Sequence, residues 1–335
     1  MTAAAAVAWW RRHRWALALA LVMLLGFIAR VWNLDFDQRQ HLHPDERHWS
    51  LTSAELAADA GPPAHGTLAG PVLDWLDGDR SAANPYRVTE SFVYGPAHLA
   101  ATRAVAGWLA EGATTGDQPA AAVVHTLDWF GLPLLDATGA PRFDDGYQVD
   151  LIGRLLGAVY DTLTILVVAL IGRRVGGRRA GLLAAGLYAA SVMAIQHAHF
   201  FAAEPLLGLA SACTVLAALH LGGGSARRVV LLGAAAGVAA GATLAVKLSG
   251  AGVAAVPFAV AGWLLIRGRG RADVVRLVAM TVGAVVAFRV LHPGAFEGLG
   301  LRLRPAFVDD IAASWRIDQL DFPPAVQWAR RVPVL

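Results

Sequence analysis

The chain has 335 residues, of which 56% are hydrophobic and 16% charged, and its mean hydropathy is +0.49. This composition excludes an ordinary soluble globular domain and favours an integral membrane protein. The net charge of +3 does not indicate a nucleic-acid partner, because the arginines stand in short clusters between apolar runs. The single cysteine, Cys213, excludes an internal disulfide framework and predicts a small packing residue.

The first apolar run, residues 15–31, follows a short basic string and resembles a signal peptide. No Ala-x-Ala pattern follows it, so we expect an uncleaved span. Residues 1–32 should therefore form a cytoplasmic amino terminus and the first transmembrane helix.

A long polar stretch, residues 33–150, should be a large extracytoplasmic loop. Its Gly-, Pro- and Asp-rich part, residues 60–87, predicts a surface insertion. Residues 92–109 are moderately apolar but contain His98 and Arg103, which favours a juxtamembrane helix over a lipid-exposed span. A re-entrant segment, or a pair of crossings with residues 120–135, is the alternative.

Six further apolar runs within residues 151–291 predict a six-helix transmembrane bundle, which gives about seven spans in all. The runs are 151–171, 180–195, 203–221, 229–246, 251–266 and 274–291. Every second connection is rich in arginine and should lie in the cytoplasm. Lys247 and residues 292–335 then lie outside, and we expect an all-α, multi-pass protein of the plasma membrane.

The densest group of ionisable residues follows the first span, in the string HLHPDERH at positions 41–48. Its adjacent carboxylates, Asp45 and Glu46, could hold a proton, a metal ion or a substrate hydroxyl near the lipid headgroups. The structural alternative is a helix start, with Pro44 in the first turn and the acids at the positive end of the helix dipole. The two interpretations are compatible.

Other ionisable residues gather at the same predicted face of the membrane. Glu204 begins a span, and unless it is a solvated loop acid it needs a cavity or a cationic partner. Arg154 and Asp161 are seven residues apart and should both face the bundle interior. Lys247 and Arg289 would form a cationic rim suited to a lipid phosphate, with simple snorkelling as the alternative.

A divalent metal is a further option at this face. His43, His48 and His199 could converge there with nearby carboxylates, and imidazole with oxygen ligands suits several metals. No tight ligand motif is present in the sequence, so the metal stays one alternative among others.

Six strings occur in order along the chain: PDE (44–46), YGPAHL (94–99), LIGRLLG (151–157), GRRVGGRR (172–179), HFFAAEP (199–205) and GATLAVK (241–247). Together they resemble the GT-C superfamily of membrane glycosyltransferases, in particular glycosyltransferase family 39 and its bacterial relatives, which are similar to protein O-mannosyltransferases. The resemblance departs from the family pattern at Glu204, where an aspartate is common, and at Gly95, where a second proline is frequent.

The resemblance implies transfer of a mannosyl or other hexosyl group from a polyprenyl-phosphate carrier to an unknown acceptor, at the outer face and usually with inversion. It implies Asp45 as general base or acceptor-orienting carboxylate and Glu46 as a neighbour that shapes the site. The residues expected to hold the donor phosphate or substrate are Arg154, Glu204, Lys247, His98 and Arg289.

The lipid-linked donor and membrane lipids are the expected partners. The family also carries a variable region after its shared core, whereas this sequence stops at Leu335, which indicates an incomplete chain or a minimal form. The competing functions are a transporter, whose charges should recur at mid-span, and a non-catalytic membrane subunit.

Overall fold

The computed structural model describes residues 3–315 apart from 39, 60–69, 130, 133, 137, 142–148, 223 and 269, and within these residues the chain is helical, without a β-strand. Its helices are α1 (Ala3–Val31), α2 (Pro44–Ala58), α3 (Gly70–Leu76), α4 (Ala97–Thr115), α5 (Gln118–Trp129), α6 (Asp150–Ala189), α7 (Val192–Ala198), α8 (Glu204–Ala218), α9 (Ala226–Val246), α10 (Ala251–Gly268), α11 (Arg271–Leu291) and α12 (Pro305–Trp315). Short 3-10 turns lie at Pro85–Arg87, Leu248–Gly250 and Pro293–Ala295.

Five helical segments in the described part of the chain are long and apolar enough to cross a membrane. They are His13–Val31, Asp150–Ala189, Ala226–Val246, Leu248–Gly268 and Arg271–Leu291, and the apolar helix Glu204–Ala218 is shorter. Such helices satisfy their own backbone hydrogen bonds, which hydrocarbon requires. The chain therefore has the build of an all-α membrane protein, as its composition predicts.

Helix α6 covers two of the apolar runs because its chain reverses direction within it. Gly177 has φ 80° and ψ −175°, outside the helical region. In a straight helix Ala169 and Gly181 would lie roughly 18 Å apart, at ~1.5 Å per residue. A Cβ built on Gly181 would instead lie 2.6 Å from the carbonyl oxygen of Ala169. The parts before and after Gly177 thus pack against each other as two legs.

The tightest packing between helices joins α9 to α11. Glycines recur every fourth residue on α9, at Gly233, Gly237 and Gly241, and form one stripe along the helix. A Cβ on Gly237 would lie 1.9 Å from the carbonyl oxygen of Met280 on α11. Small residues at this spacing let helix backbones approach closely where no hydrophobic effect drives association.

A buried ion pair joins α1 to α6. The Arg30 Nε donates to Asp161, and one of its terminal nitrogens also donates to the carbonyl oxygens of Gly26 at 2.9 Å and Ala189 at 3.1 Å. The Tyr188 hydroxyl donates to the other Asp161 oxygen at 2.5 Å. Both charges are buried, so each depends on the other. Asp161 is buried in the bundle interior as predicted, although no sequence pattern indicated Arg30 as its partner.

The described parts of the two predicted outer segments, residues 70–92 and 292–315, form one layer. Asp310 on α12 accepts hydrogen bonds from the Tyr86 hydroxyl at 2.8 Å, the Ser91 hydroxyl at 2.5 Å and the Phe92 N–H at 2.9 Å. Asn84 is fully buried and donates to the Gly78 carbonyl at 2.6 Å. Residues 70–87 are thus more ordered than the predicted surface insertion, whereas 60–69 and the last residues, 316–335, lie outside the described residues.

Candidate functional site

The start of α2 places the two adjacent carboxylates. Pro44 is the first residue of the helix, and the His43 side chain caps it, with Nδ1 accepting a hydrogen bond from the Asp45 N–H at 3.2 Å. Asp45 and Glu46 therefore lie in the first turn, where the helix dipole stabilises negative charge. Successive helical residues point about 100° apart, at ~3.6 residues per turn, so the two carboxylates face different surroundings.

Glu46 is fully buried in a charged cluster around Arg154. The Arg154 Nε donates to Glu46 Oε1 at 2.7 Å, and one terminal nitrogen donates to Glu46 Oε2 at 2.8 Å. The terminal nitrogens also donate to the two Asp37 oxygens at 2.9 and 3.0 Å and to the Leu34 carbonyl at 2.6 Å. A guanidinium has five N–H groups, and these five bonds use them all.

This arrangement gives Arg154 and Glu46 structural roles. Arg154 has no N–H left for a donor phosphate, so we assign it to holding α2 and the 34–37 turn against α6. Glu46 Oε1 also accepts from the Phe201 N–H at 2.8 Å, which fixes the segment before α8. Glu46 thus shapes the site through its contacts and is not accessible to a substrate.

Asp45, in contrast, is half-buried and lies beside groups of a different kind. A side-chain hydrogen bond joins Tyr94 to Asp45, and burial, followed by the Asp45 charge, raises the pKa of Tyr94. The Lys247 Nζ lies 5.0 Å from the centre of the Tyr94 ring and 2.6 Å from Glu204 Oε1. We call these four residues, Asp45, Tyr94, Glu204 and Lys247, the Asp45 cluster.

Backbone contacts join two of the four distant segments that carry this cluster. Tyr94 and Lys247 form an isolated antiparallel bridge, and the Gly95 N–H donates to the Val246 carbonyl at 2.8 Å. The side chains of Glu204 and Lys247 each keep 24% of their surface exposed. The cluster is therefore open to a ligand, unlike the sealed Arg154 site.

His98 and Arg289 also have structural partners. His98 is buried, with Nδ1 2.9 Å from the Ala202 carbonyl oxygen and Nε2 3.1 Å from that of Gly153. Arg289 donates to the carbonyls of Leu76 at 2.5 Å, Gly298 at 3.0 Å and Gly300 at 3.1 Å. Both residues hold loops against helices through these contacts, and the substrate-binding role that the resemblance implies for them stays a prediction.

The three histidines considered for a metal do not form a metal site. His43 caps α2, while the His199 ring nitrogens lie 2.8 Å and 2.9 Å from the carbonyl oxygens of Ile195 and Trp32. His48 packs 5.3 Å from the Phe92 ring, and burial lowers its pKa despite the nearby Asp45 charge. Among the described residues no three His, Cys, Asp or Glu side chains group in a way that could hold a metal ion.

A cavity of about 250 Å³ adjoins Glu204 between α6, α7 and α8. Its lining consists of Asp161, Tyr188, Ser191, Met193, Ala194, His197, Glu204 and Pro205. The sequence pointed to Glu204 at the mouth of two spans but did not single out Tyr94 or the cavity. Tyr94 belongs to the YGPAHL string, and its hydroxyl within that string was the one feature of the sequence that could have indicated it as a site residue.

No protein-family model, no curated protein and no solved structure shows significant similarity to this chain.

Proposed function

We propose that the chain transfers a sugar from a polyprenyl-phosphate donor to an acceptor at the extracytoplasmic face of the membrane. One observation carries the proposal. Two adjacent acids have opposite surroundings, since Glu46 is sealed against Arg154 while Asp45 stays half-exposed beside Tyr94 and Lys247. Glu46 stabilises the site, and Asp45 is available to accept a proton.

The chemistry assigns a role to each member of the Asp45 cluster. Asp45 takes the proton of the acceptor hydroxyl while the acceptor oxygen forms a bond to the anomeric carbon. The bond from that carbon to the donor phosphate breaks on the opposite side, and the phosphate leaves with the electron pair. Tyr94 orients Asp45 through their hydrogen bond.

Lys247 is the cation best placed to stabilise the leaving phosphate. It is paired with Glu204 at 2.6 Å, and each side chain of the pair keeps 24% of its surface exposed, so a ligand can reach Lys247. A phosphate can therefore replace Glu204 as its partner. The neighbouring cavity of about 250 Å³ has room for a sugar but not for a polyprenyl chain, which would stay in the lipid.

The proposed topology has seven spans. Three crossings come from the first leg of α6, from its second leg continued by α7, and from α8. The other four are α1, α9, α10 and α11. The arginine-rich turn at 173–179 is then cytoplasmic, and the Asp45 cluster is extracytoplasmic.

The decisive experiment measures transfer of radiolabelled sugar from synthetic polyprenyl-phosphate sugars, in membranes that carry the full chain. Asp45→Asn should reduce the rate by about 10²–10⁴-fold, the usual contribution of a general base. Glu55→Gln is the matched control, because Glu55 is an exposed acid on the same helix and should leave the rate within about twofold of the native value.

Equal losses in both variants would assign the effect to α2 as a whole and contradict the role of Asp45. Transfer by no variant, the native chain included, across several sugars and acceptors would overturn the enzymatic proposal. The transporter and the non-catalytic subunit would then be the functions to test.

A further inference from the structure

A groove lies at the end of the bundle remote from the Asp45 cluster. It has a volume of about 640 Å³ and is lined by Leu170, Arg173, Arg174, Leu216 and His220. Arg173 follows the start of α6 by 23 residues, which is about 35 Å along the helix. His220 follows the end of α8, whose other end carries Glu204. The groove and the Asp45 cluster are therefore separate sites.

Within the part of the chain that the structure describes, the arginines of this groove have no acidic partner. Between Asp161 and Asp273 the sequence has one acidic residue, Glu204, which lies at the far end of α8. Asp273 is itself paired with Arg276 at 2.5 Å. Among the described residues no carboxylate forms an ion pair with Arg173 or Arg174, and both arginines are exposed.

The local contacts hold the groove in shape and leave its cations accessible. The Arg173 guanidinium lies 5.0 Å from the centre of the Trp15 ring on α1, and the Trp15 indole N–H donates to the Arg178 carbonyl at 2.9 Å. The His220 Nδ1–H donates to the Leu216 carbonyl oxygen at 2.8 Å, so that Nε2 can donate to an anion in the imidazolium form. Two guanidinium groups and an imidazole thus stand at one rim.

The groove continues into an apolar cavity. This second cavity has a volume of about 250 Å³ and shares Leu216 and His220 with the groove. Its other lining residues are Cys213, Ala217, Leu232 and Ala235, which carry no charge. A cationic rim above an apolar slot fits a molecule with an anionic head and a hydrocarbon tail, because a free anion would occupy the rim and leave the slot unfilled.

We propose that this groove binds an anionic phospholipid, with its phosphate at Arg173, Arg174 and His220 and an acyl chain in the slot beside Cys213. Charge complementarity distinguishes between lipids, because a zwitterionic headgroup brings its own cation to a rim whose described lining contains two arginines and no carboxylate. The site stands independently of the proposed sugar transfer, since no residue is shared between them.

The test compares lipids on the purified full chain in a neutral maltoside detergent. Native mass spectrometry measures how much phosphatidylglycerol or phosphatidylcholine with the same acyl chains stays bound. The native chain should retain several-fold more phosphatidylglycerol. Arg174→Gln should weaken this binding about fivefold, or ~1 kcal/mol for one arginine near an anionic lipid, whereas Arg174→Lys should keep most of it.

Arg271→Gln is the matched control, since Arg271 is an exposed arginine of the same bundle end that does not line the groove. It should retain the phosphatidylglycerol preference. A second readout is the rate at which a maleimide labels Cys213. Bound phosphatidylglycerol should slow this labelling, whereas glycerol phosphate should not. Equal retention of both lipids, an unchanged Arg174→Gln variant, or equal protection by glycerol phosphate would each overturn the proposal.

Discussion

Replacing Arg154 with methionine tests the structural role of the buried cluster. The change removes five hydrogen bonds and takes the cation away from three buried carboxylates, those of Glu46, Asp37 and Asp150. Breaking a buried ion pair in this way costs about 3–5 kcal/mol, because the remaining charge is neither solvated nor paired. That is a large part of a typical free energy of unfolding of ~5–15 kcal/mol.

The assay is thermal unfolding of the purified chain in a mild detergent. At ~2–4 °C for each kcal/mol in a protein of moderate size, Arg154→Met should lower the Tm by roughly 10 °C. Lys247→Met is the matched control, since it breaks a single ion pair, with Glu204, whose side chains are partly exposed and can be partly hydrated. It should lower the Tm by clearly less than Arg154→Met does.

A compensated variant checks the cause of the loss. Adding Glu46→Gln and Asp37→Asn to Arg154→Met removes the two carboxylate charges that Arg154 hydrogen-bonds and leaves that of Asp150, 3.8 Å from Arg154 in the native chain, so it should recover part of the Tm. A native Tm in Arg154→Met together with lost sugar transfer would refute the reasoning. Arg154 would then act on the substrate, as the sequence first suggested.

Two further predictions concern packing and pH. Gly95→Ala should destabilise the chain and impair transfer, because its Cβ would lie 1.4 Å from the Ala245 carbonyl oxygen. Gly107→Ala is the control, since a Cβ there meets nothing within 4 Å. It should stabilise α4 by about 0.5–1 kcal/mol in the same melting assay. His292 is buried against Phe307, and burial lowers its pKa from 6.5 to about 4. The unfolded chain therefore binds the proton first, so stability falls as pH drops from about 6.5 to about 4, by up to about 3 kcal/mol. His292→Phe should flatten that part of the Tm-against-pH profile, and an unchanged slope would contradict it.

Local patterns in the sequence were enough to predict the helical architecture. Apolar runs of near-spanning length predict helices because the bilayer leaves the backbone no other way to satisfy its hydrogen bonds. Pro44 after a capping residue predicts the start of α2, and the structure begins the helix there. The two runs before and after the basic turn were predicted separately, which Gly177 explains.

The partners of the ionisable residues depended on tertiary structure. Arg154 meets Glu46 across 108 positions of sequence, and no local period encodes which acid that will be. The charged residues along the sequence are compatible both with a phosphate-binding site and with a sealed ion-pair cluster. Only the burial of Arg154 and Glu46 in the folded chain distinguishes these two possibilities.

The sequence by itself determined that the chain is a helical membrane protein with acidic residues at the start of α2, because hydrophobic periodicity and helix capping act over a few residues. The tertiary structure decided that Glu46 is sealed, and that Asp45 stays half-buried beside Tyr94, whose ring lies 5.0 Å from the Lys247 Nζ. The reason is that the packing of α6 and the backbone bridge at Tyr94 set the environment of each carboxylate, and both contacts come from distant parts of the chain.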